Sequence, residues 1–231
     1  MKESIPTRLF KTEFILGFLS VSVILVSAVY DQENSTASIA SCIGTISLLF
    51  NAKGNPVGQA LMILFSFLYG MISYSYGYYG EMITYLGMSA PMALFSLIVW
   101  IKNPYRGQKK EVELRKILPK EIAFMFFSSL PVTLIFYPIL KEMHTTNLIP
   151  STLSVTTSYF AVYLTFKRSI WFPLGYALND LVLIVLWGAA FIDSGQYFSV
   201  LACFFVFFVN DLYGLFSLGQ IFRRQQTALR E

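Results

Sequence analysis

Histidine occurs once in this chain and cysteine twice, so the residues that most often build metal centres, disulfide frameworks and thiol or imidazole catalysis are nearly missing. No spacing suits a metal ion, no glycine-rich phosphate cradle opens a helix after a strand, and no serine or cysteine stands beside a base. The Gly-x-Gly-Asp context of intramembrane aspartyl enzymes is absent as well. These gaps argue against an enzyme and imply no cofactor. Charge is also scarce: Asp, Glu, Lys and Arg make up 13% of the 231 residues, too little to coat a soluble globule. The period-2 alternation of a membrane barrel is missing, which leaves helices as the way to satisfy backbone groups in lipid.

Apolar residues fill the space that charge leaves, at 55% of the chain, with 17% aromatic. A hydrocarbon core about 30 Å thick is crossed by about 20 mostly apolar helical residues. Eight runs approach that length, near 14–30, 36–51, 57–78, 81–101, 122–140, 147–166, 170–192 and 197–222. The predicted fold is therefore an all-α integral membrane protein of eight transmembrane helices. Threading them puts all the Lys and Arg residues except Lys141 on one side. The basic sets are Lys2 to Lys11, Lys53, Lys102 to Lys120, Lys167 with Arg168, and Arg223 to Arg230. Basic loops stay in the cytoplasm, so both termini are expected on that side of the membrane. Asp31, Glu33, Glu81, Glu142 and Asp193 then fall to outer loops. The net charge of +4 reflects lipid headgroups as neighbours and implies no nucleic-acid partner. The dense basic stretch from Lys102 to Lys120 reads as a solvated loop, and Cys42 and Cys203 as packing residues.

A repeat organises the runs. Pro56-Val-Gly-Gln-Ala-Leu61 matches Pro173-Leu-Gly-Tyr-Ala-Leu178 at an offset of 117 residues, each at a helix start where proline is tolerated. Residues 36–101 and 147–222 become two three-helix bundles. Residues 102–146 supply a basic loop and a linker helix, 1–35 a tail and peripheral first helix, and 223–231 a cytoplasmic tail. A single linker helix gives both bundles the same orientation, which is the 3+1+3 plan of SWEET-like transporters with a site between the repeats.

Asp180 and Asp211 are the acids set deep in apolar runs, each preceded by Asn, and no Lys or Arg accompanies them there. Such acids face a wet cavity or a partner, so each is expected to serve transport, and neutralising either is expected to abolish uptake. Helix-to-helix hydrogen bonding by Asn179, Asp180, Asn210 and Asp211 is the other reading. Tyr176, Asp180 and Trp187 share a helix face that would suit a flat cation. Asn210, Tyr213 and Ser217 share another. Gln59, Ser66, Tyr69, Ser73 and Tyr76 form a polar line on the third run, where close packing is an equally good account of Gln59 and Tyr69.

Several separate motifs resemble the PnuC-type nicotinamide riboside transporters. They are Tyr69-Gly-Met-Ile-Ser-Tyr, Gly77-Tyr-Tyr-Gly-Glu-Met82, Leu86-Gly-Met-Ser-Ala-Pro-Met92, Trp171-Phe-Pro-Leu-Gly-Tyr-Ala-Leu-Asn-Asp180 and Asn210-Asp-Leu-Tyr-Gly214, with the Ala52-Lys-Gly54 turn. The resemblance implies uptake of a vitamin-type nucleoside by facilitated diffusion, with trapping by a cytoplasmic kinase, and it leaves a homo-oligomer open. It places substrate at Trp171, Tyr176, Asn179 and Asn210. The chain departs from the Trp-x-x-Trp of many members, having Trp171-Phe-Pro-Leu174 or Phe172-Pro-Leu-Gly175 in its place, according to the alignment. Related cargo (thiamine or a deoxynucleoside) and proton symport through Asp180 or Asp211 are the alternatives. A cationic nucleoside suits carboxylates and aromatics, whereas a nucleotide dianion would need Arg or Lys.

Overall fold

The computed structural model describes residues 7–31, 35–145, 147–195 and 197–228, with residues 7–11, 31 and 35 by backbone alone. Lys2, Glu33 and Arg230, and the side chains of Arg8, Lys11 and Asp31, lie outside the described residues. Helices follow the apolar runs: α1 Thr7–Asp31, α2 Ser35–Asn51, α3 Val57–Ser75, α4 Tyr79–Lys102, α5 Pro119–Glu142, α6 Leu148–Phe166, α7 Phe172–Ser194 and α8 Phe198–Thr227. Six are long and apolar enough to cross a membrane; α2 is a shorter apolar helix, and the Ser/Thr-rich α6 is not among the six. Helix α4 loosens into a π-helix over Thr84–Ser89. Pro91 explains the position, because it has no N–H for the carbonyl four residues back and its ring pushes that carbonyl aside.

Six helices pack as a closed ring in the order α2, α3, α4, α6, α7, α8 and back to α2. Exchanging α2 with α6, α3 with α7 and α4 with α8 maps every neighbour pair onto another. Helix α1 lies outside against α8 and α2, and α5 lies outside against α6. The matched glycines of the two Pro-x-Gly motifs sit at equivalent crossings. A Cβ on Gly58 would stand 2.7 Å from the Asn51 backbone nitrogen, and one on Gly175 2.8 Å from Ala161 Cα. The turn before each motif bends through a left-handed residue, Gly54 at φ 63 and Arg168 at φ 55. Cys42 and Cys203 belong to the apolar core, as expected.

The stretch between α4 and α5 differs from the solvated loop expected of its charge. It forms a hairpin, β1 Pro104–Tyr105 with β2 Gln108–Val112, then runs as a strap beneath the ring. The Val112 N–H donates to the Gly54 carbonyl at 2.8 Å and the Arg115 N–H to the Arg168 carbonyl at 3.1 Å. One segment thus fastens the two equivalent turns. Helix α8 extends past its apolar run to clasp the strap: Gln225 Nε2 donates to the Val112 carbonyl at 3.0 Å, and the Leu114 N–H donates to Gln225 Oε1 at 2.9 Å. Arg224 pairs with Glu111, Arg115 pairs with Glu121, and Lys167 Nζ stands 3.1 Å from Glu121. These partners draw Lys53, Lys109, Lys110, Lys167 and Arg168 to one end of the ring.

Val112 and Leu114 are buried under this clasp, so their backbone groups have no water to fall back on. Gln225→Leu leaves the Leu114 N–H and the Val112 carbonyl unpaired, at about 1–3 kcal/mol each. The variant is expected to unfold at a lower temperature in detergent and to be cut by trypsin faster at Lys109 and Lys110. Wild-type melting and cleavage would show that the clasp contributes nothing.

Candidate functional site

The interior of the ring is filled by aromatic side chains from opposite helices. Trp187 on α7 is fully buried and donates its Nε1 hydrogen to the Tyr69 hydroxyl of α3 at 2.9 Å, a bond that spans the ring. The Tyr69 ring meets Tyr85 of α4 at 4.5 Å between centroids, Phe204 of α8 at 5.5 Å and Phe65 at 5.5 Å. Phe65 continues to Phe207 of α8 at 5.4 Å. Toward the end away from the strap, Trp187 packs on Tyr78 at 4.3 Å and Tyr197 at 5.6 Å. Tilted and edge contacts of this kind suit ring quadrupoles and close the passage tightly.

Below the plug, Asp180 of α7 and Asp211 of α8 lie within hydrogen-bonding reach of each other. Both are 4% exposed. An ionised carboxylate only accepts hydrogen bonds, so two carboxyls in such contact share a proton. The remaining Asp180 oxygen, Oδ2, is buried with no partner among the described residues. Tyr176, partly buried one turn before Asp180, lies near both acids and beside Thr165. Asp180, Asp211 and Tyr176 therefore form one cluster, of which the helix-face pattern of α7 joins Tyr176 to Asp180 alone.

The other residues singled out in the sequence go elsewhere. Asn179 Oδ1 accepts from Thr157 and Ser158 of α6, each at 2.9 Å, with Ser154 at 3.4 Å. Asn210 turns outward and donates to Ser20 of α1 at 2.9 Å, while its Oδ1 is buried without a partner among the described residues. Tyr213 lies beside Glu13 of the same helix, and Ser217 donates to the Ala52 carbonyl at 2.7 Å. The face shared by these three residues thus meets α1 and the α2–α3 turn. Gln59 donates to Asn51 of α2 at 2.8 Å. Trp171 caps the strap end of α7 at 47% exposure, apart from the cluster. Along α3, Gln59 Oε1 and the Ser66 and Ser73 hydroxyls are buried without partners among the described residues.

Glu81 corrects a placement. Read as an outer-loop acid, it lies in the first turn of α4 and is 0% exposed. The helix begins at Tyr79, two residues before its apolar run, and so carries the acid inside. The Glu81/Tyr85 spacing of four residues was the available signal, since it puts both on one helical face.

Residues 34–218 match the family described as nicotinamide mononucleotide transporter. Over 224 residues the chain is 21% identical to the nicotinamide riboside transporter PnuC of Neisseria mucosa, covering 93% of this chain and 82% of that protein. The crystal structure of the vitamin B3 transporter PnuC overlays with a TM-score of 0.81 at 20% identity, covering 93% of each chain. At that identity the overlay speaks for the fold, an integral membrane protein built of helices.

Proposed function

The chain belongs to the nicotinamide mononucleotide transporter family, of PnuC type, and we propose that it carries the nucleoside, nicotinamide riboside, across a bacterial inner membrane. Passage is by facilitated diffusion, and a cytoplasmic nucleoside kinase traps the cargo. The observation that carries this reading is the buried Asp180–Asp211 pair, set near aromatics, while the Lys and Arg residues of the six ring helices, Lys102, Arg223 and Arg224, stand toward the strap-side helix ends. A fixed pyridinium charge suits such a centre. A phosphate dianion does not, because it needs cationic or convergent N–H donors to replace its water. The family description names the mononucleotide and the relative's name the riboside; the charge of the centre favours the riboside.

Residues 36–101 and 147–222 act in this reading as two like-oriented three-helix units, joined by 102–146, with eight crossings and both termini cytoplasmic. The exchangeable neighbour order of the ring, the equivalent Gly58 and Gly175 crossings and the gathering of basic turns at one end support it. Asp180, Asp211 and Tyr176 would meet the cargo at the centre, and Tyr69 with Trp187 would part to admit it. The carboxyl pair also favours a second reading, proton symport, since a shared proton is a movable one.

Purified protein in proteoliposomes is expected to equilibrate labelled nicotinamide riboside and to leave nicotinamide mononucleotide outside. Entry of the mononucleotide at a comparable rate would overturn the reading. Accumulation above the outside level without a kinase, lost when the proton gradient is collapsed, would favour symport.

A further inference from the structure

Glu81 is a carboxylic acid inside the protein that the central cluster does not use. It is 0% exposed, with Ser154 beside it and no well-formed hydrogen bond to either oxygen among the described residues. Gly80, its neighbour, is pressed against Leu140, Thr145 and Ser151, so the turn that carries it cannot swing out freely. An acid left unpaired at such burial is costly and marks a function by default. Its surroundings are aromatic: Tyr69, Tyr78 and Tyr85 are its electrostatic neighbours, and Trp187 packs on Tyr78 and bonds to Tyr69. Two backbone irregularities frame the place. The π-helix starts three residues after Glu81, a distortion frequent at functional positions. Tyr197, against Trp187, holds φ 73, a conformation a bulky residue adopts only when its surroundings force it.

We propose that Glu81 is the countercharge of an outer binding site for a flat organic cation, walled by Tyr69, Tyr78, Tyr85 and Trp187. A pyridinium ring is the class of ligand that uses both parts, stacking on the aromatic faces while its charge meets the carboxylate. The site lies on the side of the plug away from the strap, where the Tyr69–Trp187 bond closes the way to the Asp180–Asp211 pair. Tyr85 is an electrostatic neighbour of both Glu81 and Asp180, so a cation leaving the outer acid remains within reach of the inner one. Polar side chains run alongside: Ser154 lies next to Glu81 and also bonds to Asn179.

The inference rests on the proposed cargo and adds the place where it is first held. Calorimetric titration of purified protein with nicotinamide riboside, and with its uncharged 1,4-dihydro form, tests it. Glu81→Gln is expected to weaken the cation about tenfold or more while changing affinity for the neutral form less than about twofold. Glu81→Asp, which keeps the charge, is expected to hold the cation within about threefold of wild type. The Gln variant is expected to melt no lower than wild type, because it replaces an unpaired acid with a neutral amide. Equal losses for both ligands, or none for the cation, overturn the site and leave the cargo reading standing. A wild-type protein that binds neither ligand overturns both.

Discussion

Asp180→Asn combined with Asp211→Asn is expected to yield a folded protein that has lost uptake, whereas either substitution alone retains much of it. As separate acids, each would be expected to be indispensable. Their contact changes the expectation. A carboxyl pair that shares a proton carries one negative charge, and one Asn opposite one carboxylate carries the same charge, with an amide hydrogen in place of the shared proton. The α7–α8 contact survives in the single variants for the same reason. The double variant has no charge left there, and the cation loses its countercharge at the centre. A loss of about tenfold or more in the initial uptake rate corresponds to about 1.4 kcal/mol or more of missing attraction. Proteoliposome uptake of labelled nicotinamide riboside, normalised to reconstituted protein, measures it. Normal uptake by the double variant would remove the pair from the path. A proton-moving pair gives a different pattern, in which either single substitution stops accumulation against a gradient but spares equilibration.

The helices were legible because about 20 apolar residues in sequence have few other uses. Boundaries agree within a few residues over most of the chain, apart from α1, which starts seven residues before its apolar run, and the difference at α8 has a physical cause. Helix α8 runs on to Thr227, five residues beyond its apolar run, because Gln225 and Arg224 find partners in the strap. The strap itself was hidden by its composition. Nothing in Gln-Lys-Lys-Glu-Val distinguishes a solvated loop from a strand whose bonds go to Gly54, Arg168 and Gln225, all distant in sequence. The proposed repeat shows in the sequence through Pro-x-Gly, since proline is favoured in the first helical turn and glycine at a close crossing, whereas apolar positions between them exchange freely.

Site residues divide along the same line. Helix-face spacing correctly joined Tyr176 to Asp180, because both stand on one element. The pairing of Asp180 with Asp211 depends on how α7 and α8 rotate against each other, and periodicity does not supply that angle. Asn210 illustrates the loss: one residue from Asp211 is about 100° of helix rotation, enough to turn it onto Ser20 of α1. Helix α1 is outside the ring, yet it satisfies a polar group of α8. Glu81 was missed because two residues of boundary error exchange an outer loop for a buried first turn.

Gly175→Val is expected to abolish folded protein, while Gly219→Ala leaves it unaffected. Both glycines stand within helices, Gly175 in the first turn of α7 and Gly219 in the last third of α8, and they differ in what a Cβ would meet. At Gly175 it would lie 2.8 Å from Ala161 Cα, 3.1 Å from Ala161 N and 3.3 Å from Ala161 Cβ. Two of those atoms are backbone and cannot rotate away, so relief requires α6 and α7 to separate, which also pulls Asn179 from its three hydroxyl donors. Overpacking of this kind costs about 3 kcal/mol or more in a helix crossing with no slack. At Gly219 an added Cβ would meet nothing within 4 Å among the described residues, and the change falls within about 0.5 kcal/mol. Gel filtration after detergent extraction, followed by thermal unfolding, separates the outcomes. A well-folded Gly175→Val protein would mean that α6 and α7 do not cross as closely as described, and the equivalence of Gly58 with Gly175 would lose its structural meaning.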